Sequence, residues 1–254
     1  MEDLHSRKVP DLQNIRKEVC SMPKTEIENN VIRPKRHSRD VFHAWMLEGA
    51  EYVGPRDMIR LRPCQAIPNK LVAFSDAMKP GWKDFDCWVH FFEDDVILEP
   101  FWKNPKRYLN KLKKFRGVCG LDYSVGWNFP IPIKEHNHFR NSVCSFWLSR
   151  QGVRVIPQAR CEQDDYTEVL AGFPKHSTIA IGARAMVRDV QDRIVLKESV
   201  KLIVDYLQPS HIVWYGSTRY GVTDYLDKMR VPYTVYPGKG RGSLSSPSRN
   251  EGVV

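Results

Sequence analysis

Four acidic residues and one histidine are spaced so that they can do chemistry together. Glu93, Asp94 and Asp95 close the apolar run Cys87-Trp88-Val89-His90-Phe91-Phe92, and Asp122 closes a second run that opens at Gly117. Five apolar or aromatic residues interrupted only by His90 read as a strand buried on both faces. Carboxylates at the ends of two neighbouring strands can hold Mg²⁺ or Mn²⁺ for phosphoryl transfer, with the metal stabilising the attacking and leaving oxygens. Asp94, Asp95 and Asp122 are therefore the expected metal ligands. With His90 they form the expected catalytic set, and Glu93 or His90 would assist as base or orienting group. The competing reading is capping, because Asp after a strand commonly caps the next helix.

Between the two acidic strand ends lies a basic segment. Asn104-Pro105 is a helix-start signal. Tyr108, Leu109, Leu112 and Phe115 then recur at helical spacing, which predicts a helix over 104–116. Its outer positions are Lys106, Arg107, Lys111, Lys113, Lys114 and Arg116, with no acid among them. Lysines near a helix C-terminus suit its dipole, but this row exceeds that need. A second basic run, Arg33-Pro34-Lys35-Arg36, lies near the N-terminus, and the whole chain carries a net charge of +9. Clustered Lys and Arg gain affinity for polyanions by releasing counterions from phosphates. Arg33, Lys35, Arg36 and the helix cations are the expected contacts to DNA or RNA, against the alternative of solvated charged faces.

The elements that must position these groups follow in order. Residues 1–40, polar and broken by Pro10, Pro23 and Pro34, read as a loosely ordered basic arm. A single α/β domain is expected over 41–237, and a flexible Gly/Ser tail over 238–254. Strands are predicted at Leu71–Phe74, Cys87–Phe92, Val118–Val125, Val153–Pro157, Thr178–Gly182, Ile212–Gly216 and Tyr233–Tyr236. Helical patterns separate them, around Phe139–Trp147, Tyr166–Leu170, Leu196–Leu207 and 221–230. Strands alternating with helices mean parallel crossovers. A barrel-like (β/α) form is favoured over an open doubly wound sheet, because polar groups such as Asp122, Ser124, Gln158, Ser217 and Tyr236 stand at several strand ends. A barrel gathers strand ends into one mouth.

Other motifs are weaker. His136-Asn137-His138 is an H-x-H pair, with Tyr220, Tyr225 and Lys228 as loose partners, but it falls at a helix start after Pro130 and Pro132. Gly238-Lys239-Gly240-Arg241-Gly242 follows a strand and precedes no helix, so it is not a phosphate-binding P-loop. Trp82, Trp102 and Trp127 fall in loops and are the tryptophans free to stack on a ligand. The six cysteines include no C-x-x-C pair, so reduced thiols are expected. No apolar run is long enough to span a membrane and no secretion signal opens the chain, which together predict a cytoplasmic protein.

The order H-F-F-E-D-D, W-K-N-P-K-R-Y-L, G-L-D-Y-S, F-R-N-S-V-C-S-F-W, Q-G-V-R-V-I-P, G-F-P-K-H-S-T-I-A-I-G and P-S-H-I-V-W-Y-G resembles the bacterial and phage domain-of-unknown-function family 4417, over residues 65 to 237. Where that pattern has tryptophan shortly after V-I-P, this sequence has Ala159, Arg160 and Cys161. The resemblance implies a single α/β domain from a bacterium, phage or mobile element in an intracellular setting, and no catalytic residue. Three functions fit the sequence: a metal-dependent nucleic-acid-processing enzyme, a non-catalytic nucleic-acid-binding accessory protein, and a barrel enzyme acting on a small anionic metabolite.

Overall fold

The structure is a computed structural model that describes residues 40, 42–184, 186–238 and 244–248. The chain divides into two compact units, Met1–Ala44 and Trp45–Val254. All the elements labelled below belong to the second. Arg33, Lys35 and Arg36 lie outside the described residues, as does Lys239 to Gly242.

A small antiparallel pair comes first, β1 (Tyr52–Val53) and β2 (Met58–Ile59). Strand β3 (Leu71–Ala73) runs directly into the one-turn helix α1 (Phe74–Ala77). Strand β4 (Trp88–Phe91) is followed by two helices, α2 (Asp95–Lys103) and α3 (Pro105–Leu112). Then come β5 (Gly117–Leu121), the long helix α4 (Ile131–Arg150), β6 (Val155–Ile156) and the short α5 (Tyr166–Val169). The chain continues through β7 (Thr178–Gly182), α6 (Val190–Leu207), β8 (His211–Tyr215), α7 (Asp224–Lys228) and β9 (Tyr233–Tyr236).

The boundaries have local causes. Asp189 caps α6 by accepting the Asp192 amide at 2.9 Å, and Gln208 ends it in a left-handed conformation just before Pro209. Pro132 sits in the first turn of α4, where its missing N–H costs nothing. Helix α2 was not anticipated. Pro100 lies inside it, and an internal proline ordinarily argues against a helix. The helix expected over 104–116 is shorter than its pattern. It stops at Leu112, so Lys113, Lys114 and Arg116 belong to the turn leading into β5.

All strand pairs from β3 to β9 are parallel and follow chain order. Their ladders draw two open sheets, β3-β4-β5-β6 and β7-β8-β9, where one barrel-like closure was expected. Isolated bonds lie at the edges of both. Ala180 donates to Pro157 O at 2.8 Å and accepts from the Ala159 amide at 3.0 Å, which bridges the chain beyond β6 to β7. Leu71 of β3 exchanges two 2.8 Å bonds with Ser245, and the Ser248 amide donates to Val235 of β9 at 2.9 Å.

Strand side chains divide between two sides, as a pleat requires, with an irregular register between β4 and β5. One set packs under the helices: Val89, Phe91, Val118 and Leu121 against Phe101, Leu112 and Trp147, and Ile179, Ile181, Ile212 and Trp214 against Val200 and Ile203. The other set forms a separate buried cluster of Leu71, Trp88, Phe92, Cys119, Ile156, Ala180, Val213, Tyr215 and Tyr236. Every strand from β3 to β9, or the residue just past it, contributes to that cluster. No helix among the described residues is long and apolar enough to cross a membrane.

Space inside this cluster is set by glycine at one point. A Cβ on Gly117 would come 2.3 Å from the Trp88 ring and 2.7 Å from the Arg154 carbonyl oxygen. Gly117→Ala is expected to destabilise the protein by about 1–3 kcal/mol, the usual cost of overpacking. Gly81→Ala, which meets nothing within 4 Å, is expected to be near neutral. Urea denaturation of the two variants checks this.

Candidate functional site

The C-terminal ends of the parallel strands carry the polar groups. Asp122 follows β5 directly. Its Oδ1 accepts a 2.7 Å hydrogen bond from Gln158 Nε2, and its Oδ2 lies 3.6 Å from Arg160 Nη2. Only 12% of the Asp122 side chain is exposed. Arg160 also donates to the Gly182 carbonyl at 3.1 Å. Gly182 makes this approach feasible, because a Cβ there would stand 2.6 Å from the Phe92 ring and 3.0 Å from Asp122 Oδ2. Arg184, two residues on and exposed, reaches the Phe92 carbonyl at 3.5 Å. Four strand exits, those of β4 to β7, thus converge around Gly182.

Burial pushes the Asp122 carboxyl up to about 6. Arg160 pulls against that shift, and Asp95 adds to it. A carboxyl that titrates near neutrality is suited to exchange protons.

The loop after Asp122 is held by α2 and α4. Asp95, in the first turn of α2, accepts from both the Ser124 amide and the Ser124 hydroxyl at 3.0 Å. Asn141 accepts the Tyr123 amide at 2.8 Å, and Asn137 donates to Ser124 O at 2.6 Å. Arg140 lies 3.6 Å over the Tyr123 ring and pairs with Glu99 at 2.6 Å. These polar residues of α4 were not singled out in the sequence, because on a helix they look like an ordinary polar face.

The expected metal triad is not assembled. Among the described residues, no group of three or more His, Cys, Asp or Glu side chains is arranged to hold a metal ion. Asp94 occupies the N-cap position of α2 without a side-chain cap bond and is exposed. Asp95 is taken up by Ser124, and Asp122 by Gln158 and Arg160. The Mg²⁺ or Mn²⁺ site on Asp94, Asp95 and Asp122 therefore lacks its geometry.

His90 also stands apart from the acids. It is buried in the shared cluster, with its ring 4.2 Å from Tyr215 and stacked on Phe92. Its Nδ1 accepts the Phe92 amide at 3.2 Å, which places the ring proton on Nε2. Burial drives His90 down to about 3, helped by Arg184 and opposed by Asp76. It is too weak a base for the catalytic role expected of it. Glu93 is committed to Ser75, whose amide it accepts at 2.9 Å. Of the H-x-H pair, both histidines lie on α4. His138 is buried, its Nε2 has no hydrogen-bond partner, and burial holds it down at about 4.

The basic residues divide. Lys106 stands 4.2 Å over the Trp45 ring and Lys111 donates to the Lys79 carbonyl, so both are used within the fold. Arg107 lies 5.8 Å from the Tyr108 ring. Lys113, Lys114 and Arg116 instead line a groove of about 360 Å³, together with Arg154, Phe85, Phe115 and Asp86. Arg154 donates to the Arg116 carbonyl at 2.8 Å and lies 5.1 Å from the Trp88 ring. Asp86, the one acid lining the groove, is paired with Arg116 at 2.6 Å. A second cavity of about 450 Å³, bearing Arg62, shares Gly152, Val153 and Arg154 with the first. This groove sits where the chain enters β4, β5 and β6, at the opposite strand ends from Asp122. Arg62 and Arg154 were missed because neither lies in a basic run. Of the loop tryptophans, Trp102 is buried on α2, while Trp127 is exposed and donates to Asp192 at 3.3 Å. The five cysteines among the described residues are free thiols.

The Asp122 ionisation has a stability consequence. With the folded value raised above the usual carboxylate value near 4, the folded state holds its proton more tightly than the unfolded chain. That stabilisation is full below about pH 4 and is lost as pH rises through about 6. His90 and His138, both depressed, act in the opposite sense and lose stability as pH falls. The expected signature is therefore differential. Relative to wild type, Asp122→Asn should gain stability between pH 4 and 7, read from urea midpoints at both pH values.

Comparison with known proteins places these features in a wider set. The family described as "Domain of unknown function (DUF4417)" matches residues 50–231. The "Gene 1 protein" of Mycobacterium phage L5 is 27% identical over 177 residues, 68% of this chain and 74% of the relative. The "Gene 1 protein" of Mycobacterium phage D29 is 25% identical over 194 residues, 73% of this chain and 69% of the relative. No solved structure matches.

Proposed function

The chain belongs to the DUF4417 family, which has phage members and no assigned activity, and from that premise we propose that it is a nucleic-acid-binding protein that grips phosphates in its basic groove. The observation that carries this reading is the groove at the strand entrances, where Lys113, Lys114, Arg116 and Arg154 face a single acid, Asp86, across about 360 Å³. Lys113, Lys114, Arg116 and Arg154 are all exposed. Asp86 offsets Arg116, and no second acid lines the groove to offset Lys113, Lys114 and Arg154. Cations gathered along a concave surface suit a phosphate backbone. Arg62 in the adjoining cavity extends the same surface. Free thiols and a nucleic-acid partner fit the cytoplasm of a bacterial host.

Oligonucleotide binding at 50 mM salt, followed by fluorescence anisotropy, tests this. Wild type should bind with a steep salt dependence. The Lys113→Ala/Lys114→Ala double variant should bind more weakly, with a slope of log K against log salt lower by about 2. Absence of binding at low salt to both DNA and RNA would overturn the reading.

The fold supports a companion proposal. We infer that residues 41–237 form one domain in which the two sheets join into a single ring of seven parallel strands, closed by residues 244–248. Three features favour it: the bonds between Pro157, Ala159 and Ala180, the pairing of Ser245 with Leu71 and of Ser248 with Val235, and the bond from the Tyr236 hydroxyl to the Pro68 carbonyl. The buried cluster fed by every strand is what the interior of such a ring would contain. Truncation after residue 243 should speed hydrogen exchange at the Leu71 amide and lower stability by about 1–3 kcal/mol, the cost of unsatisfied buried backbone groups. Unchanged exchange at Leu71 would rule the closure out.

A further inference from the structure

The cluster around Gly182 lies at the strand exits, away from the basic groove, and its arginines have little to do within the fold. Among the described residues, the guanidinium of Arg160 donates one hydrogen bond, to the Gly182 carbonyl, and its contact with Asp122 at 3.6 Å is too long to be another. Arg184 is exposed, and among the described residues its guanidinium makes one hydrogen bond, at 3.5 Å to the Phe92 carbonyl. An arginine carries five N–H donors in a planar fork, so among the described residues most donors of both forks, which bond carbonyls at the neighbouring exits of β7 and β4, are uncommitted. Arg160 also lines a cavity of about 10 Å³, together with Gln158, Asn141, Ser142 and His138. It is large enough for about one water molecule, and the buried His138 Nε2 is without a partner there.

We propose that this cluster is a phosphate-binding site, in which Arg160 and Arg184 hold the oxygens of the anion and Asp122 governs binding by its protonation state. The fork geometry of arginine matches phosphate oxygens bidentately. Asp122 is placed to act as the gate, because its carboxylate occupies the charge of Arg160 when ionised and releases it when protonated. The protonated carboxyl also becomes a donor to the anion. The charged groups that bear on this pair are few. Asp95 of α2 acts on Asp122, while His138 of α4 and Asp192 of α6 act on Arg160. Arg184 acts on His90, which stays neutral. Asp122 is thus the group that titrates between pH 5 and 8 next to the forks.

The phosphate can come from a small phosphorylated molecule or from the end of a nucleic acid. Arg160→Met separates this site from the groove at the strand entrances, because it leaves Lys113, Lys114, Arg116 and Arg154 in place.

Isothermal titration of the full chain with inorganic phosphate and with pyrophosphate, at pH 5.5 and pH 8, tests the proposal. Asp122→Asn carries the ligand's own ionisation as a reference. The expected result is that Asp122→Asn binds about tenfold more tightly than wild type at pH 8, as expected for one unit of coupling, and nearly equally at pH 5.5. Arg160→Met should remove the component of binding that Asp122→Asn strengthens. If that variant does not fold, Arg184→Ala, at an exposed position, should weaken binding about tenfold. A 5′-phosphorylated oligonucleotide that follows the same pH profile, while its unphosphorylated form does not, would assign the phosphate to a nucleic-acid end. Failure of that arm, with the small anions still bound, would assign it to a small molecule. No phosphate or pyrophosphate binding at millimolar concentration, or identical pH profiles for wild type and Asp122→Asn, would overturn the proposal.

Discussion

A parallel strand buried on both faces has no water to satisfy its amides and carbonyls, so each must find a partner in the chain. That requirement orders the rest of this structure. Strands β4, β5 and β8 meet it with ladder neighbours on both sides. Strands β3 and β9 are edges by their ladders, yet Leu71 and Tyr236 are fully buried. Their open sides are met by backbone bonds to Ser245 and from Ser248, while the Tyr236 hydroxyl donates to the Pro68 carbonyl. The gap between β6 and β7 is spanned by Pro157, Ala159 and Ala180. The positions of the strand exits, and with them of Asp122, Gln158, Arg160 and Arg184, follow from this one accounting.

The two ends of the strands treat charge in opposite ways. At the entrances, Lys113, Lys114, Arg116 and Arg154 remain in contact with water, so their charges cost little and act over distance. At the exits, Asp122 is removed from water by Phe92, Gly182 and Gln158, and its ionisation becomes expensive enough to move the carboxyl toward neutrality. A basic rim suits attraction of a polyanion. A desolvated carboxyl beside two arginines suits discrimination between protonation states.

Several strands were readable in the sequence because β4, β5 and β7 are buried along their whole length. Thr178–Gly182 and Tyr233–Tyr236 coincide with their apolar runs, and Cys87–Phe92 overshoots its strand by one residue at each end. Helix α2 was hidden by Pro100, which lies inside it. Asp122 was visible as a strand-end acid, but its partners were not. Gln158 and Arg160 come from the next strand and Gly182 from the one after, and no spacing in the sequence links them. The role given to His90 failed for a related reason. A histidine inside an apolar run can face either side, and here it faces Tyr215 and its own neighbour's amide. The row of cations over 106–116 was legible as charge but not as geometry, since the helix ends at Leu112 and the row turns a corner.

The pairing of Leu71 with Ser245 has a consequence for how the protein is made. The two residues are 174 positions apart (245 minus 71). At translation rates of roughly 5–20 residues per second, about 9–35 s separate their synthesis. Throughout that interval the first parallel strand leaves the ribosome with one hydrogen-bonding side unfilled. A nascent chain in that condition is a target for chaperones and a template for strand pairing with its neighbours on the same message. The arrival of Ser245, rather than the formation of any single helix, then sets the moment at which the open side of β3 is filled.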